Sequence, residues 1–311
     1  MKDTIPLVRI DHFGMSFGKK NVIRDLSFDI HAGETFGLLG SNGSGKTTTI
    51  RALLGIYQPT RGTLQINGQT FRPENGIKLG YLPEERGLYK KEPVIDVMVY
   101  FGKLKGLTRE SALKWSLDYL GRVGLADKGK ISVDKLSSGE QQKVQLGVTI
   151  MNSPELLILD EPTKGFDPVN RRLLMNLIEE QKGLGASVLM VTHQMEEVER
   201  LCDRIILLKE GVSRAYGSVK EVQEEFGNVL ISIEHNGQIP HSDQYKIIAI
   251  DGSNSKLEVA IGVDSAEILR QLIQAGVSVS KFTPARKSLD DIFVEIYGHE
   301  DSRGGQKHET A

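Results

Sequence analysis

Cysteine is all but missing from this chain. Cys202 stands alone among 311 residues, so no internal disulfide can form and the composition suits a reducing compartment. Within "EEVERLCDRIILL" that thiol reads as a small core residue, not a reactive one. Long apolar runs are missing too. "LLIL" and "VLMV" are strand-sized, far short of the ~20 residues a spanning helix needs. "MKDTIPLVRID" lacks the basic-then-apolar layout of a secretory leader. The expectation is a soluble chain whose membrane role comes through a partner. Neither sign of charge prevails: 39 Lys and Arg against 41 Asp and Glu leave −2, with no general pull toward nucleic acid. No internal repeat is visible.

What is present is ample apolar material for one large domain plus a smaller one. Residues 5–35 read as short strand pieces, "PLVRID" and "VIRDLSFDIHAG", with turns between them. "ETFGLLG" predicts an apolar strand ending in glycine, followed by helical spacing at Ile50, Leu53 and Leu54. "GTLQING" and "IKLGYLP" predict more strands, and 92–150 is helical in pattern. "ELLILDEP" and "ASVLMVTH" are buried-strand runs separated by the amphipathic "NRRLLMNLIEEQ". Such alternation predicts an α/β fold with a mostly parallel sheet covered on both faces. "RIILLKEG" and "GVSRAYGS" predict a closing antiparallel hairpin.

After about residue 221 the rhythm changes. "NVLISIEHNG", "YKIIAI" and "KLEVAIG" predict antiparallel strands with an Asn-Gly turn signal, and "SLDDIFVEIYG" a final helix. The expected division is 1–221 as the main domain, 222–300 as a small α+β accessory domain and 301–311 as a disordered tail. His235 and His241 show no metal spacing and read as surface residues.

"GSNGSGKT" fits G-x-x-x-x-G-K-[ST], with Gly40, Gly45, Lys46 and Thr47 at the fixed places. Glycines let Gly40, Ser41, Asn42, Gly43, Ser44 and Gly45 curl so that successive backbone N–H groups make an anion nest. The following helix, through Thr47 and Thr48, adds its N-terminal partial charge. Lys46 reaches the outer phosphates, and Thr47 offers its hydroxyl to Mg²⁺. An ordinary glycine-rich turn is the bland alternative, disfavoured by the strand before and the helix after. Asp160 ends the apolar "LLILD", and Glu161 follows it. An aspartate at the C-terminal end of a sheet strand faces the ligand crevice. There Asp160 would hold the metal and Glu161 would act as general base toward water.

These motifs together resemble the nucleotide-binding subunit of ABC transporters, over about residues 7–221. "LSSGEQQKVQ" (136–145) is similar to that family's signature, "KGFDP" (164–168) to its D-loop with Asp167, and "VLMVTHQMEEVERL" to its switch strand with His193. The resemblance implies a P-loop NTPase core with a helical subdomain, and ATP and Mg²⁺ as cofactors. It implies Lys46, Glu161 and His193 as catalytic residues, and Thr47, Glu84 and Asp160 at the metal. Phe17 would stack on adenine. Ser137, Ser138, Gly139 and Glu140 would face the γ-phosphate held by a second copy. "TKGF" has phenylalanine where a guanine-selecting motif needs aspartate, which favours ATP over GTP. Two positions depart from the family: Glu84 replaces the usual glutamine after "GYLP", and the signature reads "LSSGE" instead of "LSGGQ".

"YLPEERGLY" and "SLDDIFVEIYG" resemble a bacterial exporter branch. It implies a separate integral membrane permease, a homodimer or heterodimer of ATP-binding subunits, no nucleic acid, and a peripheral place on the cytoplasmic face of the membrane. Leu88, Tyr89, Val97, Val99 and Phe101 would line the groove that receives a permease helix, or else fill the helical core. Two other readings stay open. A soluble ABC-type ATPase outside transport usually carries two cassettes or a long coiled coil. An ATP sensor with weak hydrolysis is motivated by Glu84 and Glu140, and a steady-state ATPase assay separates it from a transport ATPase.

Overall fold

The computed structural model describes residues 5–72, 77–85, 87–226, 229–260 and 262–298, so the expected tail at 301–311 lies outside the described residues. The chain divides into two compact units, one ending at Tyr216 and one beginning at Gly217.

The first unit opens with β1 (Val8–Phe17) and β2 (Lys20–Ile30), a long antiparallel pair in place of the expected short pieces. Its register shifts three times between Ile10 and Ser16, and His12 adopts a positive φ. These bulges break the two-residue alternation, which is why the strand read as fragments. β3 (Thr35–Leu39), α1 (Lys46–Leu53), β4 (Arg61–Ile66) and β5 (Leu79–Leu82) follow. Next come the helices α2 (Val94–Leu104), α3 (Arg109–Arg122) and α4 (Ser138–Ile150). β6 (Leu156–Asp160), α5 (Pro168–Gly183), β7 (Ser187–Val191), α6 (Met195–Leu201), β8 (Arg204–Lys209) and β9 (Val212–Ser218) complete the series. The strands form one sheet in the order β4-β1-β2-β9-β8-β3-β7-β6-β5.

β3, β6 and β7 are buried at every position, which explains their uninterrupted apolar sequence. They are parallel neighbours, with Leu156–Asp160 in register with Ser187–Val191. β5 runs parallel on the far side of β6, Leu82 opposite Leu159. Their C-terminal ends therefore emerge side by side. This topology brings residues 40–46, 84, 160–161 and 193 to one edge, although they are scattered over the sequence.

The N-terminus of α4 enters the same region, and its position depends on α3. Tyr119 is fully buried with its hydroxyl donating to the Lys143 carbonyl at 2.7 Å, and Trp115 stacks on it at 5.0 Å. A side chain at Gly147 would meet that ring at 2.4 Å. Gly147→Ala should therefore lower stability by about 1–3 kcal/mol through overpacking. An unchanged urea midpoint would refute this.

The second unit begins with α7 (Val219–Glu225) and contains β10 (Leu230–Asn236), β11 (Tyr245–Asp251), β12 (Asn254–Val259), α8 (Ser265–Gln274), β13 (Ser278–Ala285) and α9 (Leu289–Tyr297). Its antiparallel sheet has the order β11-β12-β10-β13. Asn236-Gly237 does not make a hairpin: β10 pairs with β12 and β13, while the tight turn at Gly252-Ser253 joins β11 to β12. A turn signal is local and cannot say which strand the chain returns to; residues 237–244 are long enough to pass a neighbour. Ile231, Ile233 and Leu257 pack against Ile268 and Leu272 of α8. His235 belongs to that core face, contrary to the surface expectation. The strand's two-residue period carries it inward after Ile233, and Ser255 Oγ at 2.9 Å and the Gly237 carbonyl at 3.0 Å satisfy its ring. His241 is exposed.

Candidate nucleotide site

The loop between β3 and α1 is shaped by close approaches. A side chain at Gly40 would lie 2.4 Å from Ser44 Oγ and 2.5 Å from the Leu208 carbonyl. Gly45 has φ 112° and meets Ile23, so only glycine fits there. Lys46 Nζ donates to the carbonyls of Gly40 and Ser41 at 2.8 and 3.0 Å. Ser44 Oγ is buried with no protein partner, an unusual state for a hydroxyl and one that suits a ligand acceptor. Asn42 and Gly43 are exposed, and Thr47 and Thr48 are half-buried in the first turn of α1.

Around Lys46 stand three carboxylates. Burial lowers the Lys46 pKa, against the opposing pull of Glu161, Asp160 and Glu84. Asp160 is 2% exposed, and burial, then Glu84 and Glu161, push its pKa up to about 6. Glu161 has φ 50°, a left-handed conformation uncommon for its residue type. Its N–H donates to the Val191 carbonyl at 2.8 Å, which ties it to the end of β7. Its Oε2 lies 2.8 Å from His193 Nδ1. Glu84, just past β5, accepts from Lys164 Nζ at 2.6 Å.

The remaining expected residues have other partners. Phe17, at the end of β1, is 45% exposed and packs edge-on to Tyr57 at 5.3 Å. Ser137 caps α4: its Oγ accepts from the Glu140 N–H at 3.3 Å, while Ser137 N–H donates to Glu140 Oε2 at 2.8 Å. This capping box uses the acid that departs from the family signature. Gly139 lies against Phe166, where a side chain would come within 3.1 Å of the ring. Asp167 caps α5, accepting from the N–H groups of Val169 and Asn170, and those bonds hold its pKa down. Ser138, Glu84, Glu161 and Lys164 line one cavity of about 580 Å³.

Three site residues went unread in the sequence. Glu197, nearly inaccessible, accepts from Thr163 Oγ1 and from Thr192 Oγ1 at 3.3 Å, and faces Arg171 Nε at 3.7 Å. It joins the segment after β6 to the segment after β7, and so fixes Glu161 relative to His193. The available signal was an acid on the apolar stripe of α6, one turn before Leu201. Tyr57 and Lys164 are the others: Tyr57 sits in no motif, and Lys164 opens "KGFDP", where the sequence reading picked out only Asp167.

The sequence and the fold are similar to those of known proteins. Residues 23–164 match the family described as ABC transporter, and residues 217–297 the family described as ATP-binding protein DrrA1-3-like, C-terminal domain. The uncharacterized ABC transporter ATP-binding protein YhaQ of Bacillus subtilis is 38% identical over 94% of this chain and 99% of its own. The Nod factor export ATP-binding protein I of Burkholderia lata is 31% identical over 95% and 99%. The linearmycin resistance ATP-binding protein LnrL of Bacillus subtilis is 34% identical over 71% and 72%. A solved ATP-binding subunit of an ABC transporter superposes with a TM-score of 0.65 at 29% identity, over 71% of this chain and 93% of that one. With identity sustained across nearly whole relatives, the chain belongs to the ATP-binding subunits of ABC transporters, ATPases that power transport.

Proposed function

We propose that the chain hydrolyses ATP at the β3–α1 loop to drive export through a membrane permease made as a separate polypeptide. The observation that carries the chemistry is the Glu161–His193 contact beside Asp160 and Lys46. The nest of 40–45 and Lys46 bind the β- and γ-phosphates. Glu161 takes a proton from the attacking water as its oxygen bonds to the γ-phosphorus and the bond to the ADP oxygen breaks. His193 contacts the γ-phosphate and orients the Glu161 carboxylate. Phe17 and its neighbour Tyr57 form the adenine platform.

The excess of acid around Lys46 fits a divalent cation. Among the described residues no three His, Cys, Asp or Glu side chains could hold a metal by themselves. Mg²⁺ needs few protein ligands, because it keeps most of its coordination for phosphates and water. Thr47, Asp160 and Glu84 would hold it; when bound it neutralises charge on the phosphates. Ser137, Ser138, Gly139 and Glu140 at the start of α4, with Asp167, would complete the site of a second ATP-binding subunit, identical or related. Closure of that dimer around ATP and its opening after hydrolysis supply the stroke. Both acids that motivated a non-hydrolysing sensor, Glu84 and Glu140, already have partners within the chain.

Export is supported by the relatives that serve Nod factor export and linearmycin resistance. A peripheral place at the cytoplasmic face fits the finding that, among the described residues, no helix is long and apolar enough to cross a membrane. The permease contact is assigned to an aromatic cluster. Tyr89, Tyr100 and Phe101 lie within 5.5–6.1 Å of one another, with Tyr89 53% exposed. Leu88 and Val97 are buried and belong to the helical core instead, while Val99 and Phe101 are half-buried. Tyr89→Asp should abolish copurification of the permease from native membranes and leave basal ATPase activity unchanged. Retained copurification would remove this cluster from the contact. The reading as a whole is tested by steady-state ATPase activity of the purified chain, alone and with the reconstituted permease; absence of hydrolysis in both would defeat it.

A further inference from the structure

Resting on the ATP-site reading above, the geometry points to a positioning residue at Lys164: we infer that its ammonium neutralises and holds Glu84, so that an acid can stand where this chain binds phosphate. The sheet forces the problem. β5 and β6 are parallel neighbours with Leu82 opposite Leu159, so residue 84 must emerge beside Asp160. Asp160 and Glu161 already share that edge with one ammonium, Lys46. A third carboxylate there adds repulsion to a triphosphate, which an amide at the same position would not.

The loop after β6 supplies the counter-charge. Lys164 N–H donates to the Glu161 carbonyl at 3.2 Å, closing a turn, and the adjacent Thr163 is tied down by Glu197. From this braced turn Lys164 Nζ reaches Glu84 Oε1 at 2.6 Å. Both side chains are open to water, 59% and 43% exposed, so the pair adds little to folding stability. What it alters is the field in the cavity that both residues line with Glu161 and Ser138. Lys164 thus acts on the nucleotide through Glu84 and touches no reacting atom.

The test is a double-mutant cycle read by calorimetric titration of the full chain with ATP and magnesium, which needs no turnover. Lys164→Ala should raise the Kd about five- to twentyfold by leaving the Glu84 charge unopposed. Glu84→Gln should bind within a few fold of the wild type, because the lost charge repulsion offsets the weaker grip of an amide oxygen on the cation. Glu84→Gln with Lys164→Ala should fall within about twofold of Glu84→Gln alone, and Lys164→Arg should restore wild-type affinity. An equal loss from Lys164→Ala whether residue 84 is acid or amide would overturn the inference and make Lys164 a phosphate contact or a structural brace. No loss in Lys164→Ala would overturn it too. Nucleotide uptake by the wild type separates either result from failure of the ATP-site reading, in which case the wild type itself would bind nothing.

Discussion

Glu161→Gln is expected to cut ATP turnover by roughly 10²–10⁴-fold while nucleotide still binds, so that the protein accumulates as an ATP-loaded dimer on gel filtration. The substitution is nearly isosteric. An amide offers both a donor and an acceptor, so the 2.8 Å contact with His193 Nδ1 survives in either tautomer. The Glu161 backbone, held at φ 50° by its bond to the Val191 carbonyl, is not disturbed. Only the basicity disappears. Without a group to take the proton from water the γ-phosphate stays in place, and with it the bridge between two subunits. His193→Ala should act differently, because it frees the Glu161 carboxylate without removing it, so its loss of turnover should be smaller. A Glu161→Gln protein that turns over ATP at the wild-type rate, or runs as a monomer with ATP and magnesium present, would exclude Glu161 as the base.

The parts of the site that were legible in the sequence are those where the backbone itself does the chemistry. A curled loop needs glycine at 40 and 45 because neighbouring atoms leave no room, and that demand is written in residue identity. Asp160 was legible because an acid that ends a fully apolar strand has few other reasons to be there. The capping box of α4 was also open to reading: Ser137, Ser138, Gly139 and Glu140 spell S-x-x-E, a pattern that also falls within the stretch similar to the family signature. Lys164 and Glu197 could not be found this way. Each works through a contact 80 or 34 residues away, with Glu84 and Thr163, which only the order of β5, β6 and β7 creates. The strand order of the second unit was hidden for the same reason. Pairing across β12 is a long-range choice, and the Asn-Gly signal before β11 carries no record of it.

Lys46→Ala should weaken nucleotide binding by roughly 10²-fold or more, and hydrolysis should fall with it. Lys46 stands among the acids Glu161, Asp160 and Glu84, each of which acts on its charge. Truncation would leave those acids facing a triphosphate with the backbone nest alone. Charge-assisted hydrogen bonds contribute about 1.5–3 kcal/mol each, and an ammonium bridging two phosphates makes at least two. Folding should lose no more than about 1–3 kcal/mol, because the change removes the donor from two part-buried carbonyls, those of Gly40 and Ser41, and opens no apolar core. Lys46→Arg should not rescue binding, because a planar guanidinium presents its donors in a fixed fork where a compact ammonium now sits against the Gly40 and Ser41 carbonyls. Calorimetric titration with ATP and magnesium, beside a matched thermal melt, decides the matter. Affinity within a few fold of the wild type in Lys46→Ala would mean that the nest holds phosphate without its cation, and the acids at 84, 160 and 161 would then need a different role.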